Sequence, residues 1–469
     1  MLNQMIYAGK TVAGQGIEFE VLNPATETTI TACKSASREQ VDIAVAAAKQ
    51  AFSTWQHTAD SSVKAMLEAI AADIAKERSE IARLISLEQG KPLAMAEMEV
   101  DMGLYWLQVT NNLEIPVLEE RDPMGKTMQV FHRPLGVVAS ITPWNWPFMI
   151  AIWHIIPALK AKNCVINKPS EYTPLSTIYL IEIINRHLPA GVCNVLLGAG
   201  EVGAALSSHV DVEKVTFTGS TPVGQQILAA SVDTLRSVVL ELGGNDAAIV
   251  CDDVDVESVA EKIFMGAFLN AGQTCACIKR LYVHENIYDA LLQKLAAIAD
   301  QQVLGNGLDT GTTMGPLQNV KQYTKVKNLI AEALEQGASI ANQKLNAVPA
   351  QGYFIAPTIL TNVAADSAIF ATEQFGPVLP VVKFSNLEEV IQQANQLAYG
   401  LGGSIWSSDL NKAQQAAAQM QTGSVWINSH ADVSPFAAFG GWKMSGLGYS
   451  FGLDGLLLFT RKQAIHFSV

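Results

Sequence analysis

A thiol, a carboxylate and an amide stand out in this chain, each in a setting where it could meet a ligand. Cys275 lies in Asn270-Ala271-Gly272-Gln273-Thr274-Cys275-Ala276-Cys277, between an apolar helical pattern (Val259 to Leu269) and a strand-like run (Leu281-Tyr282-Val283). The reactive form of a cysteine is the thiolate, so Cys275 needs a base or a helix N-terminus close by; without one it is simply one of six packed cysteines. The carboxylate is Glu241, in Leu240-Glu241-Leu242-Gly243-Gly244-Asn245. The amide is Asn145, in Thr142-Pro143-Trp144-Asn145-Trp146-Pro147-Phe148. A nucleophile, a proton acceptor and a fixed N–H donor are what acyl chemistry through a covalent intermediate requires. Taken singly, Asn145 reads equally well as a helix cap and Glu241 as a structural pair.

The elements that must position these groups follow from periodicity. Ser37-x-x-Gln40 followed by Val41, Ala44, Val45, Ala48 and Phe52 predicts a capped amphipathic helix, with further helices near 61–77, 79–89 (closed by Gly90) and 94–113. Short apolar strands are expected at Val137 to Thr142, Cys164 to Asn167, Cys193 to Leu197, Lys214 to Thr218 and Ser237 to Leu242, most of them separated by helical patterns. That alternation implies βαβ units and a parallel sheet covered on both faces. A second alternation past residue 243, with strands near Ala247–Val250, Arg280–Val283 and Val425–Asn428, gives two α/β lobes with a cleft between them. Gln129 to Arg133 and Leu458 to Ile465 read as two exposed strands in need of partners.

Composition narrows the class. A chain of 469 residues is too long for one compact core, and its 49% hydrophobic content with 34 Gly and 18 Pro is that of an ordinary globular protein. A formal charge of −13 argues against nucleic acid or an anionic membrane as a partner. The six cysteines are too scattered for a disulfide framework, and Met1 to Lys10 has no apolar core of a signal peptide. The stretch Leu135 to Leu159 lacks Asp, Glu, Lys and Arg, but Pro143, Pro147 and Pro157 interrupt it, so a strand, a turn and a buried helix are expected rather than a membrane span. A cytoplasmic protein is expected, with no metal site.

The Leu240-Glu241-Leu242-Gly243-Gly244 and Gly272-Gln273-Thr274-Cys275 segments, 34 positions apart from Glu241 to Cys275, together with Pro143-Trp144-Asn145, resemble the aldehyde dehydrogenase superfamily from about Asn23-Pro24 to the C-terminus. The resemblance implies an α/β fold of two Rossmann-like parallel-sheet lobes plus a small β extension for oligomerisation. Residues 1–115 and 135–242 would bind NAD, 243–436 would carry catalysis, 116–134 and 453–469 would pair subunits into a homodimer or homotetramer, and 437–452 would return between them. It implies an oxidoreductase acting on an aldehyde with NAD or NADP as acceptor. Cys275 would be the nucleophile, Asn145 and the Cys275 N–H the oxyanion donors, and Glu241 the general base that hydrolyses a thioester.

Gly198-Ala199-Gly200-Glu201-Val202-Gly203 matches the dinucleotide glycine pattern, yet it does not follow the first strand of the sheet. The resemblance sends the phosphates instead to Gly219 and Ser220, in Phe217-Thr218-Gly219-Ser220-Thr221-Pro222, where Pro222 suits the first helical position. By the same resemblance Lys168 and Glu171 contact the adenosine ribose, Glu373 holds the nicotinamide ribose, and Trp144 and Phe375 complete the cofactor site. Glu171 can accept ribose hydroxyls and would repel a 2′-phosphate, which favours NAD over NADP.

Trp146, Trp153, Leu269, Thr274, Val433 and Phe439 are expected to line the substrate tunnel. The Cys275-Ala276-Cys277 pair and Glu88-Gln89-Gly90-Lys91-Pro92-Leu93 are similar to the succinate-semialdehyde branch, in which Cys277 would be a redox partner of Cys275. That branch carries Arg where this chain has Leu269 and Trp153, so an uncharged aliphatic or aromatic aldehyde is expected. Three departures from the family pattern are Ala438-Phe439-Gly440-Gly441, Gly448-Tyr449-Ser450 in place of a segment ending in Glu, and His154 in place of Lys. The rival readings are a cysteine hydrolase and a non-catalytic structural protein on the same fold.

Overall fold

A computed structural model, which describes residues 2–344, 348–364 and 366–467, contains two large mixed sheets, each with a parallel core. Residue 1 and the last two residues of the 453–469 segment lie outside the described residues. The first sheet contains the expected strands Val137–Ile141, Cys164–Lys168, Cys193–Val195, Lys214–Thr218 and Ser237–Glu241. Numbered along the chain, these five lie side by side in the order 3-2-1-4-5. The order reverses between Val137–Ile141 and Lys214–Thr218, which in a doubly wound sheet is where a ligand crevice opens. Val137–Ile141 and Cys164–Lys168 are buried at every position, as strands covered on both faces must be.

Helices on that sheet form where the sequence pattern places them. Arg38–Trp55 begins at a capping box in which Ser37 accepts from the Gln40 N–H and Gln40 accepts from the Ser37 N–H. Arg78–Gln89 ends at Gly90, whose φ of +95° is one that L side chains rarely adopt. The uncharged stretch resolves into strand Val137–Ile141 and helix Pro147–Lys160. Among the described residues no helix is long and apolar enough to cross a membrane.

The second sheet carries Asp246–Val250, Ile278–His284, Val378–Phe384, Gly402–Trp406 and Ser424–Ile427. Its strands alternate faces: Ala248 and Val250 pack into one core with Leu281 and Trp406, and Ala247 and Ile249 into another with Tyr282 and Ile405. The two exposed strands of the sequence pattern are Thr127–Pro134 and Thr460–Phe467, the second starting two residues later than expected. They satisfy each other, pairing antiparallel over eight positions, with Leu118–Arg121 as a third strand.

The lobes are stitched together by backbone. Leu93 N–H donates to the Gly307 carbonyl at 2.8 Å, and Gln318 reaches the Glu88 carbonyl at 3.1 Å. Gly315 lies so close to Gly90 that a Cβ at 315 would land on the Gly90 carbonyl oxygen. Gly315→Ala therefore forces the lobes to shift. We expect a loss of about 1–3 kcal/mol, the usual cost of overpacking, read as an earlier midpoint in urea unfolding.

Candidate active site

Glu241 closes strand Ser237–Glu241 and is buried. Its Oε1 accepts from Ser450 Oγ at 3.1 Å, while Oε2 has no partner among the described residues. Burial pushes the carboxyl up to about 8, and the Ser450 bond only partly offsets that. A carboxyl held near neutrality with one free oxygen is suited to taking a proton. The glycines that follow have a steric reason. A Cβ at Gly243 would sit 2.6 Å from Glu373 Oε2, and one at Gly244 would sit 2.5 Å from the Cys275 carbonyl oxygen. The Gly244 N–H donates to Glu373 Oε1 at 2.9 Å. Only a chain without side chains there brings Glu241, Glu373 and the Cys275 loop into one place.

The Cys275 loop starts where helix Val256–Phe268 ends. Asn270, Ala271 and Gly272 all have positive φ (55°, 54° and 71°), and Gly272 packs on the Gly376 backbone where no Cβ fits. Gln273, fully buried, anchors the turn: its amide donates to the Asn270 and Pro316 carbonyls and its oxygen accepts from the Gln318 N–H. Cys275 emerges half-buried, and among the described residues its N–H makes no hydrogen bond. Burial pushes its thiol up, and the carboxylates of Glu373, Asp246 and Glu241 add to this.

Asn145 does not cap a helix. The N-terminus of Pro147–Lys160 is held by Glu99, whose Oε1 accepts from the Phe148 and Met149 N–H groups. The Asn145 side chain faces the nucleophile loop and donates one of its two amide hydrogens to the Gln273 carbonyl at 2.9 Å. Trp146 reaches the same loop, its indole N–H donating to Thr274 Oγ1 at 2.9 Å. The three groups singled out in the sequence thus converge on one turn.

The residues expected to hold a dinucleotide include several that follow the strands flanking the point where the strand order reverses. Gly219 and Ser220 follow Lys214–Thr218, and Ser220 is the exposed N-cap of Thr221–Ala230 with its hydroxyl free of any capping bond. Pro222 is the second helical residue, not the first as expected from sequence, because the helix starts at Thr221. Lys168 Nζ donates to the Pro169 and Gly198 carbonyls and lies 3.9 Å from the Glu171 carboxylate. Trp144 and Phe375 meet edge to face at 5.4 Å. The glycine pattern at 198–203 follows the third strand, where Gly198 makes a tight turn against Val202 and its carbonyl accepts from Lys168.

Two apolar clusters flank the thiol. Trp146, Met149 and Ile150 pack with Trp153 and Leu269, while Phe439, Leu401 and Ala276 pack with Cys275 and Val433. The ring that joins them, Phe451, was not singled out in the sequence: it lies 4.6 Å from Trp153 and 5.7 Å from Phe439, with Trp106 behind it at 5.4 Å. Its only sequence signal is that it follows Ser450, a position already at odds with the family pattern. His154, another such position, is buried, with its ring nitrogens on Ser140 and Thr218, and burial lowers it to about 3. Cys277 is buried with its thiol toward the Leu269 carbonyl, and both it and Cys275 are free.

With this geometry in hand, comparison with known proteins is decisive. The model of the aldehyde dehydrogenase family matches residues 11–465. The chain belongs to that family. This aldehyde dehydrogenase is 38% identical to the phenylacetaldehyde dehydrogenase of Pseudomonas fluorescens over 99% of its own length and 95% of the relative's. Its fold is that of the Bacillus cereus aldehyde dehydrogenase solved as an NAD+ complex (TM-score 0.95, 33% identity, 99% and 96% covered). It is equally similar to an Escherichia coli NADP-dependent enzyme (TM-score 0.96, 33% identity, 100% and 98% covered).

Ser450→Ala removes the donor that holds the Glu241 carboxyl down. In infrared difference titrations, a carboxyl band that ionises near pH 8, absent from Glu241→Gln, should ionise at higher pH in the Ser450 variant.

Proposed function

We propose that this enzyme oxidises an uncharged aliphatic or aromatic aldehyde to the free carboxylic acid, with Cys275 as nucleophile, Asn145 and the Cys275 N–H as oxyanion donors, and Glu241 as general base. The observation behind this is the convergence of an unpartnered N–H, a side-chain amide and a half-free buried carboxylate around one thiol. The thiol gives its proton to solvent water as its sulfur adds to the carbonyl carbon, and the new oxyanion is met by the two donors. NAD bound at the crevice supplies the hydride acceptor. Glu241 then takes a proton from water as that water attacks the resulting Cys275 thioester, releasing the acid. In this scheme the lobe of residues 1–115 and 135–242 holds NAD, the lobe of 243–436 supplies the thiol, and the three-stranded extension pairs subunits.

For the cofactor, Ser220 offers its hydroxyl at an open helix N-terminus to phosphate, Lys168 and Glu171 suit the adenosine ribose, and Glu373 suits the second ribose. The Glu171 carboxylate favours NAD over NADP. His154 commits both ring nitrogens to hydroxyls, which leaves it neither nitrogen for a hydrolase pair with the thiol. NADH appearance at 340 nm excludes both a hydrolase and a structural protein.

Two outcomes check the chemistry. Cys275→Ala should lose oxidation by at least a thousandfold while still binding NAD, and Glu241→Gln should give a burst of NADH followed by slow turnover, because only deacylation needs the base. In the wild type the steady-state rate should rise with pH through about 8, as Glu241 ionises and becomes able to accept a proton.

The substrate follows from the wall. Trp146, Trp153, Leu269, Val433 and Phe439 belong to clusters without a cation, and the nearest one, Lys91 over the Trp146 ring at 3.5 Å, is neutralised by Glu99 at 2.6 Å. A substrate carboxylate would be buried there without a partner. We expect kcat/KM for hexanal and benzaldehyde to exceed that for succinate semialdehyde by tenfold or more, which is about 1.4 kcal/mol.

A further inference from the structure

Lys91 and Glu99 form the one lysine–carboxylate pair among the described residues with both side chains wholly withdrawn from solvent. Lys91 follows Gly90 between helices Arg78–Gln89 and Leu93–Asn112, and Glu99 projects from the second of these. Lys91 Nζ has two oxygen partners, Glu99 Oε2 at 2.6 Å and the main-chain carbonyl of Asn145 at 2.9 Å. The other Glu99 oxygen holds the N–H groups of Phe148 and Met149 at 3.0 and 3.1 Å. The pair therefore grips the chain at the Asn145 carbonyl and again three and four residues further on. A third bond completes the grip, since Asn270 Nδ2, from the nucleophile loop itself, donates to the same Asn145 carbonyl at 2.8 Å.

Stability alone is a poor reason for such a pair. Taking two charges out of water is expensive, and apolar residues of similar volume commonly hold a fold at least as well. A neutral side chain would also suffice to cap Pro147–Lys160. What the cation adds is direction: drawing the 145 carbonyl toward Lys91 fixes that peptide plane, and with it the bearing of the Asn145 amide toward Gln273 and Cys275. Trp146, under the ammonium group, is held by the same charge and reaches Thr274.

We propose that Lys91, buried with Glu99, is a positioning residue that aims the Asn145 amide at the oxyanion formed on Cys275. This rests on the role given to Asn145 above. Lys91 touches no reacting atom, so its effect should appear only in reactions that pass through an oxyanion.

The test uses Lys91→Met with Glu99→Gln, which removes both charges together and strands neither. Three rates are measured at Cys275: single-turnover oxidation of hexanal with NAD, acylation by p-nitrophenyl acetate without cofactor, and alkylation by iodoacetamide, which forms no oxyanion. The expected result is both acylations slowed tenfold or more, with alkylation and the KM for NAD within twofold of wild type. Asn145→Ala is run in parallel. If it slows both acylations tenfold while the double variant stays within twofold of wild type, the positioning role is wrong and the Asn145 role stands. If Asn145→Ala leaves both acylations intact, the donor role falls and this inference with it. Equal slowing of alkylation and acylation in a folded double variant would also overturn it, as general disorder of the loop. Should the double variant not fold, Glu99→Gln alone is measured: a threefold or larger loss confined to the acylations supports the proposal, and unchanged acylation rates refute it.

Discussion

The active centre depends on backbone touching backbone where the end of one sheet meets the start of another. Strand Ser237–Glu241 and the turn before Ile278–His284 are brought together through Gly243, Gly244 and Gly272, each packed where a Cβ would collide with Glu373, the Cys275 carbonyl or the Gly376 backbone. The lobes lock in the same way farther out, at Gly90, Gly307 and Gly315. Contacts of this kind are short and stiff, and they hold Cys275 and Glu241, on different lobes, in register.

That closeness has an electrostatic consequence. Burial is the main cost of forming a thiolate at Cys275, and Glu373, Asp246 and, once ionised, Glu241 add to it. Positive charge is present, but it is directed elsewhere. Lys91 holds a carbonyl and Glu99, and Lys279 Nζ holds the Gly272 carbonyl at 2.5 Å. The site therefore favours the thiol form of Cys275 over the thiolate.

Much of this was legible in the sequence. Five strands of the first sheet, three of the second, the capped helix at Ser37 and the helix stop at Gly90 came from periodicity and turn chemistry, which are local properties, while Val378–Phe384 and Gly402–Trp406 were missed. Cys275 stood out by its place just past a glycine turn, whereas Glu241 and Asn145 were singled out through the motifs that resemble the family. Phe451, Trp106 and the Lys91–Glu99 pair were not. Their roles exist only through contacts between segments far apart in the chain, and nothing in Gly90-Lys91-Pro92 says that its lysine will be buried beneath Asn145. The two outer strands were recognised, but their pairing with each other was not, because register is a relation between strands.

Phe451 has a backbone geometry of φ 70° and ψ 166°, a region that glycine occupies almost alone. Holding a phenylalanine there costs about 1–3 kcal/mol, and the cost is met by its ring among Trp106, Trp153 and Phe439. Ser450, next to it, carries the hydrogen bond to Glu241. The wall of the pocket and the setting of the base are thus parts of one strained dipeptide. In evolutionary terms the two traits are linked: a lineage that reshapes the pocket by exchanging this ring relaxes the backbone and moves the serine with it. Substrate preference and the pH range of turnover would then drift together rather than independently.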